Sequence, residues 1–242
     1  VGGGKAVDTG KCSAVKMGNP VFAFPASAST CAACTSVSIM YEPDGRFKEP
    51  FFFDRPPAHT FIHTGIIAGA PQKYMWAGMG DTFAKYYEAT VSSRGEELPH
   101  FYSLGIGMSR MCLDPILKYG KKAWEDNGKG KISYELEQVV LAVIVTTAIV
   151  SILVTKEHKI DYNTGMGHAV YYALTSLKHV EEEHMHGEVV ALGILILLLT
   201  DGQEEEFNRL YAFHKEVGLP VRIGDIGVSE EELEEVLPKI AA

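Results

Sequence analysis

The sequence predicts an α/β fold followed by an all-α fold. Three observations carry that expectation. The first third holds short apolar runs bounded by glycine and proline, the pattern of strands and turns. From Pro71 onward helical periods dominate and strand signals almost vanish. The chain also opens on Val1-Gly2-Gly3-Gly4-Lys5, a glycine turn leading into a helix. A boundary at about residue 71 follows, dividing an α/β part (1–71) from a helical part (72–242).

Taken in order, Gly2 to about Lys16 reads as the glycine turn and its helix. Val21 to Phe24 is a short buried strand closed by Pro25, and Ser36 to Tyr41 alternates into a second. Glu42-Pro43-Asp44-Gly45-Arg46 has the composition of a turn. Phe51 to Asp54 and Thr60 to His63 are further strands around Pro56-Pro57. The predicted helices are Gln72–Ser92, Tyr102–Tyr119, Tyr134–Thr155, Gly167–Leu177, Gly187–Leu199, Glu204–Val217 and Glu230–Ile240. Asn127-Gly128-Lys129-Gly130 and Asp161-Tyr162-Asn163-Thr164-Gly165 are polar loops. The acidic clusters at Glu204–Glu206 and Glu230–Glu235 are solvated helix faces.

Composition narrows the function. The chain has 242 residues, 46% apolar and 22% charged, within the range of a globular protein. Its net charge of −9 disfavours nucleic acid, since little is present to displace counterions from a phosphate backbone. The four cysteines, Cys12, Cys31, Cys34 and Cys112, do not make a disulfide framework, and with no signal peptide a cytoplasmic setting is expected. Cys31 and Cys34 form a lone C-x-x-C, read as two small buried thiols. Val139 to Thr155 is uncharged, but it is shorter than the roughly 20 apolar residues of a membrane span. It also contains Thr146, Thr147 and Ser151, so it is expected to be a core helix. A glycine turn normally follows a strand, so a chain opening on one reads as the interior of a longer protein.

Three polar residues stand in small, apolar surroundings: Asp81 in Gly-Met-Gly-Asp, His168 in Gly-Met-Gly-His, and His186 in His-Met-His-Gly-Glu. Singly, each has a plain structural use. Asp81 suits a helix charge or a partner for Lys85 at i+4. His168 suits a hydrogen-bonded core histidine, and His184 competes with His186 as a ligand. Together, one carboxylate and two imidazoles form a divalent-metal set that leaves a coordination position open. A cation so held can lower the pKa of an alcohol. The glycines at the chain's start offer backbone N–H groups at a helix N-terminus, the setting that receives a pyrophosphate; a tight turn without a ligand is the alternative.

With these residues the chain resembles the glycerol dehydrogenase branch of the iron- or zinc-containing alcohol dehydrogenases. The matching pieces, in the family's order, are Gly-Gly-Gly-Lys-Ala-Val-Asp-Thr-Gly-Lys (2–11), Ala-Ser-Thr-Cys-Ala-Ala-Cys-Thr-Ser-Val-Ser-Ile-Met-Tyr (28–41), Ala-Gly-Met-Gly-Asp-Thr-Phe-Ala-Lys-Tyr-Tyr-Glu-Ala (77–89), Gly-His-Ala-Val (167–170) and His-Gly-Glu (186–188). The resemblance implies a dehydroquinate synthase-like architecture, with part of a nucleotide-binding α/β domain (1–71) and a helical metal-binding domain (72–242). It implies NAD or NADP and one divalent metal, zinc or iron. Asp81, His168 and His186 would be the metal ligands and catalytic centre. Gly3, Gly4 and Lys5, with Asp8 nearby, would meet the dinucleotide phosphates, and Thr35, Val37 and Tyr41 would line the nicotinamide side.

The implied activity is hydride transfer between the nicotinamide and a small alcohol, polyol or 2-hydroxy acid, in a homo-oligomer without nucleic-acid or membrane partners. Three departures accompany the resemblance. Cys31 stands where glycerol dehydrogenases usually carry Asp beside the substrate. In that respect the segment is similar to hydroxycarboxylate dehydrogenases, which act on 2-oxo acids, and loss of the carboxylate suits an anionic substrate. Tyr171 replaces a further histidine. The family's opening strands and closing helices are expected to lie outside this chain, and with them the residue that selects NAD or NADP. Two other functions remain open: a lyase resembling dehydroquinate synthase, and a non-catalytic helical interaction protein.

Overall fold

The computed structural model describes residues 1–42, 47–155 and 162–240. The turn expected at 42–46 and the first residue of the loop expected at 161–165 therefore lie largely or partly outside the described residues.

Helix α1 (Gly4–Lys16) starts directly on the glycine turn. Gly2 is zipped to the chain at Phe24–Ala26: its N–H donates to the Phe24 carbonyl at 3.1 Å, and its carbonyl accepts from Ala26 at 2.9 Å. Among the described residues four strands follow: β1 (Phe22–Ala23), β2 (Val37–Tyr41), β3 (Phe47–Phe52) and β4 (His59–Thr60). β1 runs parallel to β4, while β2 and β3 form an antiparallel hairpin with Val37 opposite Phe52 and an irregularity at Met40/Tyr41. β1 and β4 are shorter than the apolar runs at Val21–Phe24 and Thr60–His63. Pro25 lacks an N–H for the ladder, and His63 turns away to cap α2 (Thr64–Ala68), its Nδ1 accepting from Ile66 N–H at 3.2 Å. β3 begins at Phe47 and ends at Phe52, earlier than the expected run over Phe51–Asp54.

Beyond residue 63 the described residues are helical and irregular. The long elements are α3 (Gln72–Ser92) and α4 (His100–Asn127). They are followed by α5 (Tyr134–Leu141), a π-helical turn (Ala142–Thr146) and α6 (Thr147–Val154). Then come α7 (Met166–Leu174), α8 (Lys178–Glu183), α9 (His186–Thr200), α10 (Glu204–Val217), a 3₁₀ turn (Ile223–Ile226) and α11 (Glu230–Ile240). α4 continues well past Tyr119, where glycine invites a stop. Gly120 is instead a point of close approach: a Cβ there would stand 2.8 Å from the ring of Phe213 on α10. The wide turn after α5 places the Thr147 hydroxyl 2.9 Å from the Ala142 carbonyl, five residues back.

The segment Tyr134–Val154 is long and apolar enough to cross a membrane by length and composition, and half of its most apolar stretch is buried inside the fold. One large core gathers Met79 and Phe83 of α3, Leu113 and Ile116 of α4, Val139 and Ile144 beyond it, and Ile194 and Leu198 of α9. Val7, Ala28 and Ala33 from the first third belong to the same cluster. A second cluster joins α7, α9 and α11 through Leu174, Leu192 and Val236. Burial of this apolar area is the main driving force for the arrangement.

Candidate metal centre

Helices α3, α7 and α9 each deliver one polar side chain to a common point. Asp81 lies midway along α3, His168 in the first turn of α7, and His186 is the first residue of α9. α3 and α9 approach very closely here. A Cβ on Gly80 would stand 2.4 Å from the Gly187 carbonyl oxygen, so only glycine fits. That contact sets His186 beside Asp81, with Nε2 3.2 Å from Asp81 Oδ1. His168 Nε2 lies 3.8 Å from the same oxygen. One ligand atom from each of the three residues lies within 4.8 Å of the others. The donor set is chemically that of a divalent cation with room for a further ligand.

The charges support one another. Burial raises the Asp81 carboxyl, but His186 foremost, then His168 and Lys85, outweigh it and hold the group at about 2. Burial opposes a charged His168, yet Glu88 and then Asp81 shift the imidazole upward. Glu88 is fully buried and, despite that burial, is held below the usual carboxylate range by His168. Its Oε2 lies 2.7 Å from His168 Nδ1, and its Oε1 accepts the His168 backbone N–H at 2.9 Å.

Sequence reasoning did not single out Glu88. Its signal was a second carboxylate seven residues after Asp81, two turns along the same face and about 10.5 Å away along the axis. Lys85, the expected i+4 partner of Asp81, instead donates to Asn163 Oδ1 at 2.7 Å and to the Asn163 carbonyl at 3.3 Å. His184, the rival ligand, pairs with Glu188 at 2.9 Å. Tyr171 packs its ring edge-on against His186, with centroids 4.2 Å apart.

The residues expected near a nucleotide lie around α1. Gly3 is the N-cap and Gly4 and Lys5 open the helix. First-turn N–H groups have no partner within the helix itself. Asp8 is drawn inward to the Lys11 ammonium at 3.1 Å. Lys11 is 1% exposed and also donates to the carbonyls of Ala32 (2.7 Å) and Val37 and to Thr35 Oγ1 (3.2 Å). Thr35 is therefore buried in a Lys11-centred network, and Val37 and Tyr41 are the two ends of β2. Asp8 and Thr35 thus serve the loop that follows β1. Cys31 lies on that loop and senses both Lys85 and Asp81; dense packing around the partly exposed thiol pushes it up to about 12. The loop touches α3 one turn ahead of Asp81, where a Cβ on Gly78 would meet the Ala28 carbonyl at 2.1 Å.

No family model matches the chain. It is 34% identical to a glycerol dehydrogenase of Thermotoga maritima over 99% of its own length and 65% of the relative's. It is 32% identical to hydroxycarboxylate dehydrogenase A of Escherichia coli, over 98% of this chain and 65% of that one. The crystal structure of glycerol dehydrogenase from Schizosaccharomyces pombe superposes with a TM-score of 0.85 at 29% identity, covering all of this chain and 61% of that one. The chain thus spans about two thirds of the length of these relatives, and the α/β-then-helical layout is theirs.

Proposed function

We propose, from the chain's membership of the glycerol dehydrogenase-like proteins, that it serves a metal-dependent, NAD(P)-linked oxidoreductase acting on a small alcohol, polyol or 2-hydroxy acid. The observation that carries the proposal is the convergence of Asp81, His168 and His186 from three separate helices.

These three side chains would hold one zinc or iron ion, which supplies Lewis acidity to an alcohol or carbonyl oxygen. Asp81 contributes one negative charge and the two imidazoles none when neutral, so the centre keeps net positive charge for an oxygen ligand. Lys85, anchored by Asn163, adds a second cation one turn from Asp81. We read residues 1–71 as the remainder of a dinucleotide-binding domain and 72–242 as the metal-binding domain. In this reading the α1 N-terminus at Gly3, Gly4 and Lys5 receives the cofactor phosphates, with the β2 edge at Val37 and Tyr41 toward the nicotinamide. Asp8 and Thr35 are tied to that surface through Lys11, Asp8 near the phosphates and Thr35 on the nicotinamide side with Val37 and Tyr41.

The neutral thiol of Cys31 adds no negative charge beside Asp81, which favours a 2-hydroxy or 2-oxo acid over the neutral polyols. A cytoplasmic protein acting on small molecules, in more than one copy, fits the same reading.

Stripping the protein with a chelator should abolish turnover on a panel of glycerol, a vicinal diol and 2-hydroxy acids with NAD and NADP, and zinc or iron should restore it. Activity untouched by complete metal removal overturns the proposal. Phosphate release from a phosphorylated substrate without net change in NADH marks lyase chemistry instead.

A further inference from the structure

We propose that Glu88 is the positioning residue of the metal centre: its one carboxylate caps helix α7 and fixes the His168 imidazole with Nε2 turned toward Asp81 and His186. The inference rests on the metal reading above.

Glu88 extends from α3 beneath the first turn of α7. Oε1 accepts the backbone N–H of His168 and Oε2 meets Nδ1 of the same residue. A carboxylate only accepts, so Nδ1 carries a proton and the ring's other nitrogen points at Asp81 Oδ1, 3.8 Å away. In the neutral ring that nitrogen keeps the lone pair a cation needs. Gly167 leaves the carboxylate access, since a Cβ there would stand 3.1 Å from Oε1.

A purely structural cap is easily supplied by Ser, Thr or Asp at the N-cap itself. Here the N-cap is Gly165, which has no side chain, and the fold instead buries a carboxylate completely, at a desolvation cost. The second oxygen accounts for that choice. It is spent on the ring, in the carboxylate–imidazole arrangement that orients metal ligands.

Glu88→Gln separates the two roles. It preserves volume, but one of the two contacts must become an amide NH₂. With the carbonyl on the backbone N–H, the NH₂ donates to Nδ1 and drives the ring proton to Nε2. Zinc affinity is measured by competition with a chromophoric chelator for wild type, Glu88→Gln and His186→Ala. The expected result is a loss of about 10–100-fold in Glu88→Gln, with an unfolding midpoint of the metal-free protein close to wild type. If wild type binds zinc no tighter than His186→Ala, the metal reading itself fails. If wild type binds tightly and folded Glu88→Gln matches it, Glu88 is a helix cap alone and the proposal is overturned. Should Glu88→Gln not fold, long-range ¹H–¹⁵N spectra of zinc-loaded wild type decide. A His168 proton on Nδ1 supports the proposal, and a proton on Nε2 overturns it.

Discussion

Gly187 on α9 faces the Ala77 carbonyl on α3 so closely that a Cβ at position 187 would stand 1.9 Å from that oxygen. The neighbouring His186 owes its place beside Asp81 to this contact. Gly187→Ala must push the two helices apart, because a backbone oxygen cannot rotate out of the way. The expected cost is about 2–3 kcal/mol, read as a lower urea midpoint, with zinc uptake reduced in parallel. Gly10→Ala is the control. It lies inside α1, and a methyl added there would meet nothing within 4 Å, so it should be neutral or stabilising by up to about 1 kcal/mol. Unchanged stability and zinc uptake in Gly187→Ala would mean the helix contact does not set the site.

His184 and His186 can be told apart by the same assays. His184 is engaged by Glu188, whereas His186 faces Asp81 and is 43% exposed at its side chain. His186→Ala should lose the cation and at least about 100-fold in turnover, while stability of the metal-free protein shifts by no more than about 1 kcal/mol. His184→Ala should retain the cation. The reverse pattern would transfer the ligand role to His184.

The difference between these residues marks how far the sequence was legible. Asp81, His168 and His186 stood out because glycine flanked each polar group in apolar surroundings, and those glycines are where the helices touch. Glu88 was hidden because a glutamate in a Tyr-Tyr-Glu-Ala helix reads as solvated until α7 is docked over it. Lys11 was hidden for the same reason, since burial of a lysine depends on carbonyls 21 to 26 residues away. Long helices such as Gln72–Ser92 and Glu204–Val217 were legible to the residue because period and end signals agreed. The two-residue strands were not, since alternation cannot specify so short an element and their pairing partners are distant. The helix expected to end at Tyr119 runs on to Asn127, and Gly120 within it serves close packing against Phe213, a contact that only the docked α10 reveals.

His214 should dominate the acid limb of stability. It is 0% exposed, its Nδ1 lies 3.0 Å from the Pro220 carbonyl, and its ring stacks on Phe83. Burial lowers it from 6.5 to about 4. Because the folded value is depressed, the unfolded chain binds the proton first. Full stability is present above pH 6.5 and is lost as pH falls toward 4, by about 3 kcal/mol in total. Asp81, also depressed, adds a further loss only below 3.8, toward about 2. His214→Gln keeps a donor for the Pro220 carbonyl without titrating. Its urea midpoint should stay flat between pH 6.5 and 4, where wild type declines; a parallel decline in both would remove His214 as the cause.

Lys11 gives the last and largest effect. Burial lowers its amine and raises the Asp8 carboxyl, and the mutual attraction offsets this only in part. Such a pair contributes little net stability, yet losing one member strands the other charge away from water. Lys11→Met should therefore destabilise by about 3–5 kcal/mol, and it would also release the Ala32, Thr35 and Val37 contacts that hold the Cys31 loop against α1. Adding Asp8→Leu removes the stranded carboxylate and should recover part of that loss in a double-mutant cycle. The loop contacts stay broken in the double variant, so its affinity for NADH, followed by fluorescence, should remain weaker than wild type. Strict additivity of the two substitutions would show that Lys11 and Asp8 do not act as a pair.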